Sequence, residues 1–297
     1  MTDITFGTYL PRWSSLARPE AFRQVATTAE RSGYDWVGRG DHVVFPVSDE
    51  GWSWDTSAYD VFDVLSHVAA VTDEIRLGTK IAVVPYRHPV HLAKEALTVD
   101  NLSDGRFDLG VAPGWLEPEF DVLDVPFTER GSRTDEFLDL FEQVREEGRV
   151  GFDGQHHSFA ETGFFPRPVG DIPVWVGGES SPAFRRIGQY GEGWMKTESV
   201  EGIREGRRRI RRAWDDFDRD GDPQIAAGQQ AYVGADPPDD VDGPLVGPAD
   251  EVIEGVEAYA DAGATRVDVK FGPTTDSLDE RLAQLERFAD EVIPAFA

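Results

Sequence analysis

The stretches SGYDWV (32–37), YGEGWM (190–195) and AGATRVDV (262–269) read alike: each closes a helical pattern, turns at a glycine and starts an apolar β run. Gly33, Gly191 and Gly263 each fit a position just past a helix end, where a residue without Cβ turns most easily. Working outward, apolar β runs alternate with helical patterns about eight times. Candidate strands are ITFGTYL (4–10), YDWVGRG (34–40), IRLGTKIAVV (75–84), RFDLGVA (106–112), IPVWVGG (172–178), GWMKT (193–197), QIAAGQQAYVG (224–234) and TRVDVKF (265–271). Several are apolar nearly throughout, as strands covered on both faces should be. Helical patterns fall between them at 19–32, 61–71, 91–102, 133–147, 183–190, 200–219, 249–262 and 278–296. Strand and helix in alternation specify a parallel sheet with helical crossovers. Eight steps without a composition break predict one α/β domain over 1–297, a closed (β/α)8 TIM barrel with loop insertions. An open doubly wound sheet would place G-x-G-x-x-G after its first strand, and ITFGTYLPRW has none.

Composition narrows the setting. The net charge is −27, from 56 Asp and Glu against 29 Lys and Arg, and only Lys80, Lys94, Lys196 and Lys270 are lysines. Self-repulsion of that size destabilises a compact chain in dilute buffer, whereas a Debye length of about 3 Å at 1 M salt removes most of it. The acids are spread along the chain rather than gathered in a tail, so a salt-adapted, halophilic cell is the expected setting and an acidic docking surface the weaker reading. Nucleic acid is not an expected partner. No apolar run approaches the roughly 18 residues that span a membrane. MTDITFGTYLP lacks a signal-peptide pattern, so the cytoplasm is the expected location. With no cysteine, thiolate metal sites and cysteine nucleophiles are excluded.

Two long connections, 41–59 after the second strand and 151–171 before the fifth, interrupt the regularity. Strand C-termini carry the chemistry in a barrel, so Asp41 and His42 in GRGDHVVFP (38–46) fall on the catalytic rim. An imidazole is the side chain best suited to proton transfer near neutral pH, and an adjacent carboxylate can orient it or bind a ligand donor; the plain alternative is a capped loop histidine. In WVGGESSPAF (175–184), Gly177, Gly178, Glu179 and Ser180 precede a helix and form a candidate phosphate cradle. A serine N-cap before Pro182 explains the same residues structurally. Thr79, Lys80 and Ile81 in the third strand, with Ala112, Pro113, Gly114 and Trp115 after the fourth, could face a flat aromatic ligand. His88 and His91 at a helix start read as structural. His156 and His157 lack metal-ligand spacing, and no H-E-x-x-H occurs.

FGTYLP, GYDWVGRGDHVVFP, RLGT, PYRHPVHLAKEALTVDNLSDGRFDLGVAPGW, WVGG with GEGWM, and DAGATRV together resemble the luciferase-like monooxygenase superfamily, and within it the oxidoreductases dependent on coenzyme F420 or flavin. The resemblance implies a cofactor ring at the C-terminal barrel mouth, its phosphate at Gly177, Gly178, Glu179 and Ser180, and a non-proline cis bulge near Lys80 and Ile81. It implies further that Asp41 lies near the ring, that His42 exchanges a proton with the substrate, and that the protein is a homodimer. Relatives acting on sugar phosphates or secondary alcohols tend to have Glu where this chain has Trp115, and Trp where it has Phe45 and Pro46. That tilts the expectation toward reduction of an apolar or conjugated substrate.

F420 carries a long anionic tail, which FMN lacks. Arg185, Arg186 and the block 204–212 are candidate partners, and Lys196 is the best single one; the block reads more simply as a solvated helix face balanced by nearby acids. The leading expectation is an F420-dependent oxidoreductase passing hydride between the deazaflavin C5 and a small organic substrate, the cofactor supplying the difficult chemistry. The alternatives are an FMN-dependent two-component monooxygenase using reduced flavin and oxygen, and a non-catalytic flavin-binding protein.

Overall fold

The computed structural model describes residues 4–12, 16–44, 58–196, 199–239, 241–271 and 277–296. Eight parallel strands form the ring: β1 Thr5–Tyr9, β2 Trp36–Arg39, β3 Arg76–Thr79, β4 Phe107–Ala112, β5 Val174–Gly177, β6 Gly193–Lys196, β7 Gln224–Gln230 and β8 Arg266–Lys270. Neighbours pair in chain order, β8 pairs β1 through Phe6 opposite Val267, and β3 pairs β4 through Leu77 opposite Phe107, so no edge remains open. Helices Pro19–Arg31, Val61–Ala69, Pro89–Leu102, Arg130–Glu146, Ser181–Gln189, Val200–Asp216, Ala249–Ala262 and Leu278–Glu291 follow the strands in turn. Their apolar faces supply most of the core: Phe22 and Val25, Leu65 and Val68, Leu92 and Leu97, Phe137 and Phe141 are all buried against the outside of the ring. This is the closed (β/α)8 barrel that the repeat predicts.

Two local readings need correction. The run 75–84 is not one strand. β3 stops at Thr79, the Lys80–Ile81 peptide is cis, and Ala82–Val83 resumes pairing with β4. The predicted loop over 151–171 is largely an antiparallel hairpin, Arg149–Asp153 with Ser158–Gly163. Polar residues exposed on its outer face hid the pattern. The three step glycines all lie at or just past a helix end, as read: Gly33 and Gly263 take positive φ (81° and 104°), and Gly191, directly after the Tyr190 cap, does not. The site is also crowded, since a Cβ on Gly191 would lie 3.0 Å from Ile187 Cα.

The barrel interior is filled by an aromatic and ionic stack. Arg266 of β8 lies between the rings of Trp36 and Trp175, 4.3 and 4.6 Å from their centroids. Its Nε donates to Asp268 at 2.8 Å, and Asp108 stands 3.5 Å from its Nη1. Arg76 closes on Asp108 from below, while Lys80 donates to Asp268 from above at 2.5 Å. Rings of this size fit because the surrounding strands give up their own side chains. A Cβ on Gly38 would sit 1.8 Å from Trp36 Cη2, and one on Gly78 would sit 2.7 Å from Trp36 Nε1. The glycines in YDWVGRG and RLGT thus make room inside the barrel, and the charged ladder above them delivers Lys80 to the upper mouth.

Candidate functional site

A cavity of about 760 Å³ opens at the C-terminal ends of the strands. Asp41, His42, Lys80, Ile81, Ala112, Pro113, Gly114, Gly177, Gly178, Glu179, Ser180 and Lys196 all line it, although they come from β2, β3, β4, β5, β6 and the turns that follow. Thr79 does not. Its side chain is fully buried, its hydroxyl donates to Gly110 O at 2.7 Å, and it stitches β3 to β4 instead of facing the mouth. Strand alternation decides this: Lys80 points inward and Thr79 outward. Phe45, Pro46 and most of the 41–59 loop lie outside the described residues.

His42 is held by a carboxylate that sequence reasoning did not select. Glu119, from the short helix Glu117–Val122, is fully buried and accepts from His42 Nδ1 at 2.8 Å. It also accepts from Val43 N at 2.7 Å, Val44 N at 3.3 Å and the Tyr86 hydroxyl at 2.6 Å. Burial opposes ionisation of Glu119, but the hydrogen bonds from His42, Tyr86 and Val43 outweigh it and leave its pKa below the usual carboxylate value. Burial and the facing carboxylate push the Tyr86 phenol up, so it remains a donor. Relatives with Glu at the position of Trp115 would bring a carboxylate in from there. This chain brings one from four residues further on, and Trp115, exposed, sets its ring edge-on to His42 at 6.4 Å. A helix start carrying E-P-E just beyond the fourth strand was the available signal.

Asp41 has a different task from His42 despite being its neighbour. Its two oxygens receive Arg87 at 2.5 and 3.0 Å, and Val83 N donates to it at 3.0 Å. Arg87 also reaches Asp60 at 2.5 Å and Glu95 at 3.2 Å. Burial raises the Asp41 pKa above its ordinary value despite Arg87, whereas the three carboxylates around Arg87 raise its own against the opposing effect of burial. The cluster fixes the end of β2 to the segment that resumes after the cis peptide.

At the opposite wall, Gly178 has φ 97°, and a Cβ on Gly177 would fall 2.1 Å from Ile81 Cδ1. Ser180 caps the helix Ser181–Gln189, its hydroxyl accepting from Ala183 N at 3.3 Å. The backbone there is left bare above a helix N-terminus, which is the geometry that receives a phosphate. Lys196 stands 3.3 Å from Glu179, and Arg186 and Arg130 line the same wall. Arg186 is buried and bonded to Asp135 and Gly131 O, while Arg130 lies 3.8 Å over the Phe127 ring; Arg130 was not selected from sequence. Arg185 turns away to Asp135. Within 204–212, Arg204 and Arg208 pair with Glu201 and Glu205 on their own helix, but Arg209 crosses to Glu179 O at 3.1 Å and Ser181 Oγ at 3.3 Å and braces the cradle from behind.

Four of the five remaining histidines, His88, His91, His156 and His157, gather elsewhere. His88 caps its helix, accepting from Val90 N, and its ring meets that of His157 at 4.7 Å. Glu136 accepts from His157 Nδ1 and His156 N, both at 2.7 Å, which ties the hairpin to the barrel. Among the described residues no cluster of three or more His, Asp or Glu has metal-binding geometry, and no helix is long and apolar enough to cross a membrane.

Comparison with known proteins agrees with the barrel fold. An uncharacterised protein of Mycobacterium tuberculosis is 31% identical over 227 residues, 76% of this chain and 73% of that protein. The coenzyme F420-dependent tetrahydromethanopterin reductase of Methanopyrus kandleri superposes with a TM-score of 0.81 at 21% identity, covering 99% of this chain and all of that one. The oxygenating constituent of 3,6-diketocamphane monooxygenase from Pseudomonas putida, in complex with FMN, superposes with a TM-score of 0.79 at 16% identity, covering 99% of both. With the luciferase-like monooxygenase profile matching residues 5–243, the chain belongs to that family of barrel enzymes.

Proposed function

We propose that the protein is a coenzyme F420-dependent oxidoreductase acting on a small organic substrate. One observation carries the reading: a single cavity joins a bare glycine and serine cradle over a helix N-terminus to an imidazole held 2.8 Å from a buried carboxylate. When bound, the deazaflavin supplies hydride chemistry at its C5. The chain's own residues do the rest. Gly177, Gly178 and Ser180 would offer main-chain donors to the phosphate, and Lys196 and Arg130, lining the same cavity, would add cations for an anionic tail, with Arg186 held by Asp135 behind them. Glu119, kept ionised, accepts the Nδ1 proton of His42, so proton exchange with substrate runs through Nε2. Apolar Ile81, Ala112 and Pro113 lie between the two and suit a flat ring.

A second reading has its own support. Glu179 offsets much of the Lys196 charge at 3.3 Å, which reduces attraction for a polyanionic tail and leaves a cradle sufficient for FMN alone. Titration of both cofactors in concentrated KCl separates them, and tighter binding of FMN would overturn the leading reading. A Gly178→Val variant should weaken either cofactor, because φ 97° is strained for any side chain. We carry homodimeric assembly and a salt-rich cytoplasm as parts of the same proposal, to be checked by light scattering in KCl and by fractionation of the source cells.

A further inference from the structure

The cavity has a second concentration of positive charge, away from the cradle. Of the four lysines in the chain, Lys80, Lys196 and Lys270 all line this one cavity. Lys196 stands at the cradle, whereas Lys80 and Lys270 gather with Arg12 around Tyr9, their cationic centres 5.2, 5.0 and 5.8 Å from its ring centroid. These residues come from β1, from β8 and from the turns after β1 and β3. In a ring of eight, β1 stands across from β5, so a phosphate held at Gly177 and Gly178 would leave this corner to another group.

The corner is built rather than incidental. Arg281, buried, donates to Tyr9 O at 2.6 Å, and Arg39, also buried, donates to Arg12 O at 3.1 Å and to Pro11 O. Two further cations therefore hold the main chain that presents Tyr9 and Arg12. A Cβ on Gly40 would lie 3.4 Å from Arg12 Nη1, which places that guanidinium against the residue preceding Asp41 and His42. The Tyr9 hydroxyl is buried and makes no hydrogen bond of good geometry among the described residues, and burial keeps its pKa raised, so it stays a donor. Asp268, the carboxylate bonded to Lys80, is shared with Arg266. In a chain of net charge −27, cations outnumber carboxylates among the described residues that line this cavity, a local inversion of charge that suits an incoming anion.

We propose that the substrate carries an anionic group, a carboxylate or a phosphate monoester, seated on Arg12, Lys80, Lys270 and the Tyr9 hydroxyl, with its reacting carbon toward His42. The word substrate here rests on the oxidoreductase reading above; the anion subsite itself does not. Hexanoate, hexyl phosphate and methyl hexanoate are titrated calorimetrically into the full chain without cofactor, at one fixed KCl concentration. At least one anion should bind more tightly than the ester, and which one does so separates the carboxylate from the phosphate. Lys270→Met and Arg12→Gln, each checked for folding by circular dichroism, should each weaken the anion about 10- to 100-fold, the value of a hydrogen bond to a charged group. Lys94→Met, outside the cavity and bonded to Phe165 O, should leave anion binding unchanged. Equal binding of ester and anions overturns the proposal, as does unaltered anion affinity in Lys270→Met. Anion binding without cofactor binding overturns the oxidoreductase reading alone, and cofactor binding without anion preference overturns the subsite alone.

Discussion

Replacing Glu119 by Gln tests how His42 is controlled. The carboxylate accepts four donors, from His42 Nδ1, Val43 N, Val44 N and the Tyr86 hydroxyl. A glutamine oxygen can keep the two backbone donors, but the amide nitrogen then faces His42 and Tyr86 with hydrogens of its own. The imidazole must present a bare Nδ1 to that amide, which moves its proton to Nε2 and turns the exchanging nitrogen from a proton acceptor into a donor. The lost charge-assisted hydrogen bond is worth about 1.5–3 kcal/mol. At 1.4 kcal/mol per decade, turnover should fall about 10- to 150-fold with little change in cofactor affinity. The first assay needs no substrate: nitrogen chemical shifts of the labelled imidazole report which nitrogen bears the proton. Oxidation of reduced F420, followed by absorbance, is the second. If the wild-type tautomer persists in Glu119→Gln and turnover is unchanged, Glu119 is not the positioning residue.

Four further outcomes are expected. Gly38→Ala should destabilise the barrel by about 1–3 kcal/mol in urea, because the new Cβ falls within 1.8 Å of Trp36 and forces that ring from its place; wild-type stability would refute the account of the packed interior. Arg266→Leu should cost about 3–5 kcal/mol by leaving Asp268 and Asp108 short of a buried partner, read from the same unfolding curves. Burial, then Arg12 and Lys80, lower the Lys270 pKa from 10.5 to about 8. Between those values the unfolded chain holds more protons than the native one, so this group makes stability rise with pH from about 8 to 10.5, and Lys270→Met should remove that part of the slope. With a net charge of −27, the melting temperature should climb as KCl rises from about 0.1 M to 1 M and the Debye length falls from about 10 Å to 3 Å; a flat profile would refute the salt-adapted reading.

Periodicity and punctuation determined the barrel. Helical periods and apolar runs are local signals, and eight alternations of them in one chain leave few ways to close a sheet; the same pattern put Asp41, His42 and the WVGG cradle at strand ends. Local signals fail where the partner is distant. Glu119 lies 77 positions from His42, and no spacing rule links them until β2 and the turn after β4 share a rim. Thr79 and Lys80 are adjacent in sequence, and only the pleat of β3 sends one outward to Gly110 and the other inward to Asp268. The cations were visible one by one in the sequence. Their convergence around Tyr9 follows from ring closure, which brings β8 beside β1, and this long-range contact made a charged corner from residues whose composition alone suggested only scarcity.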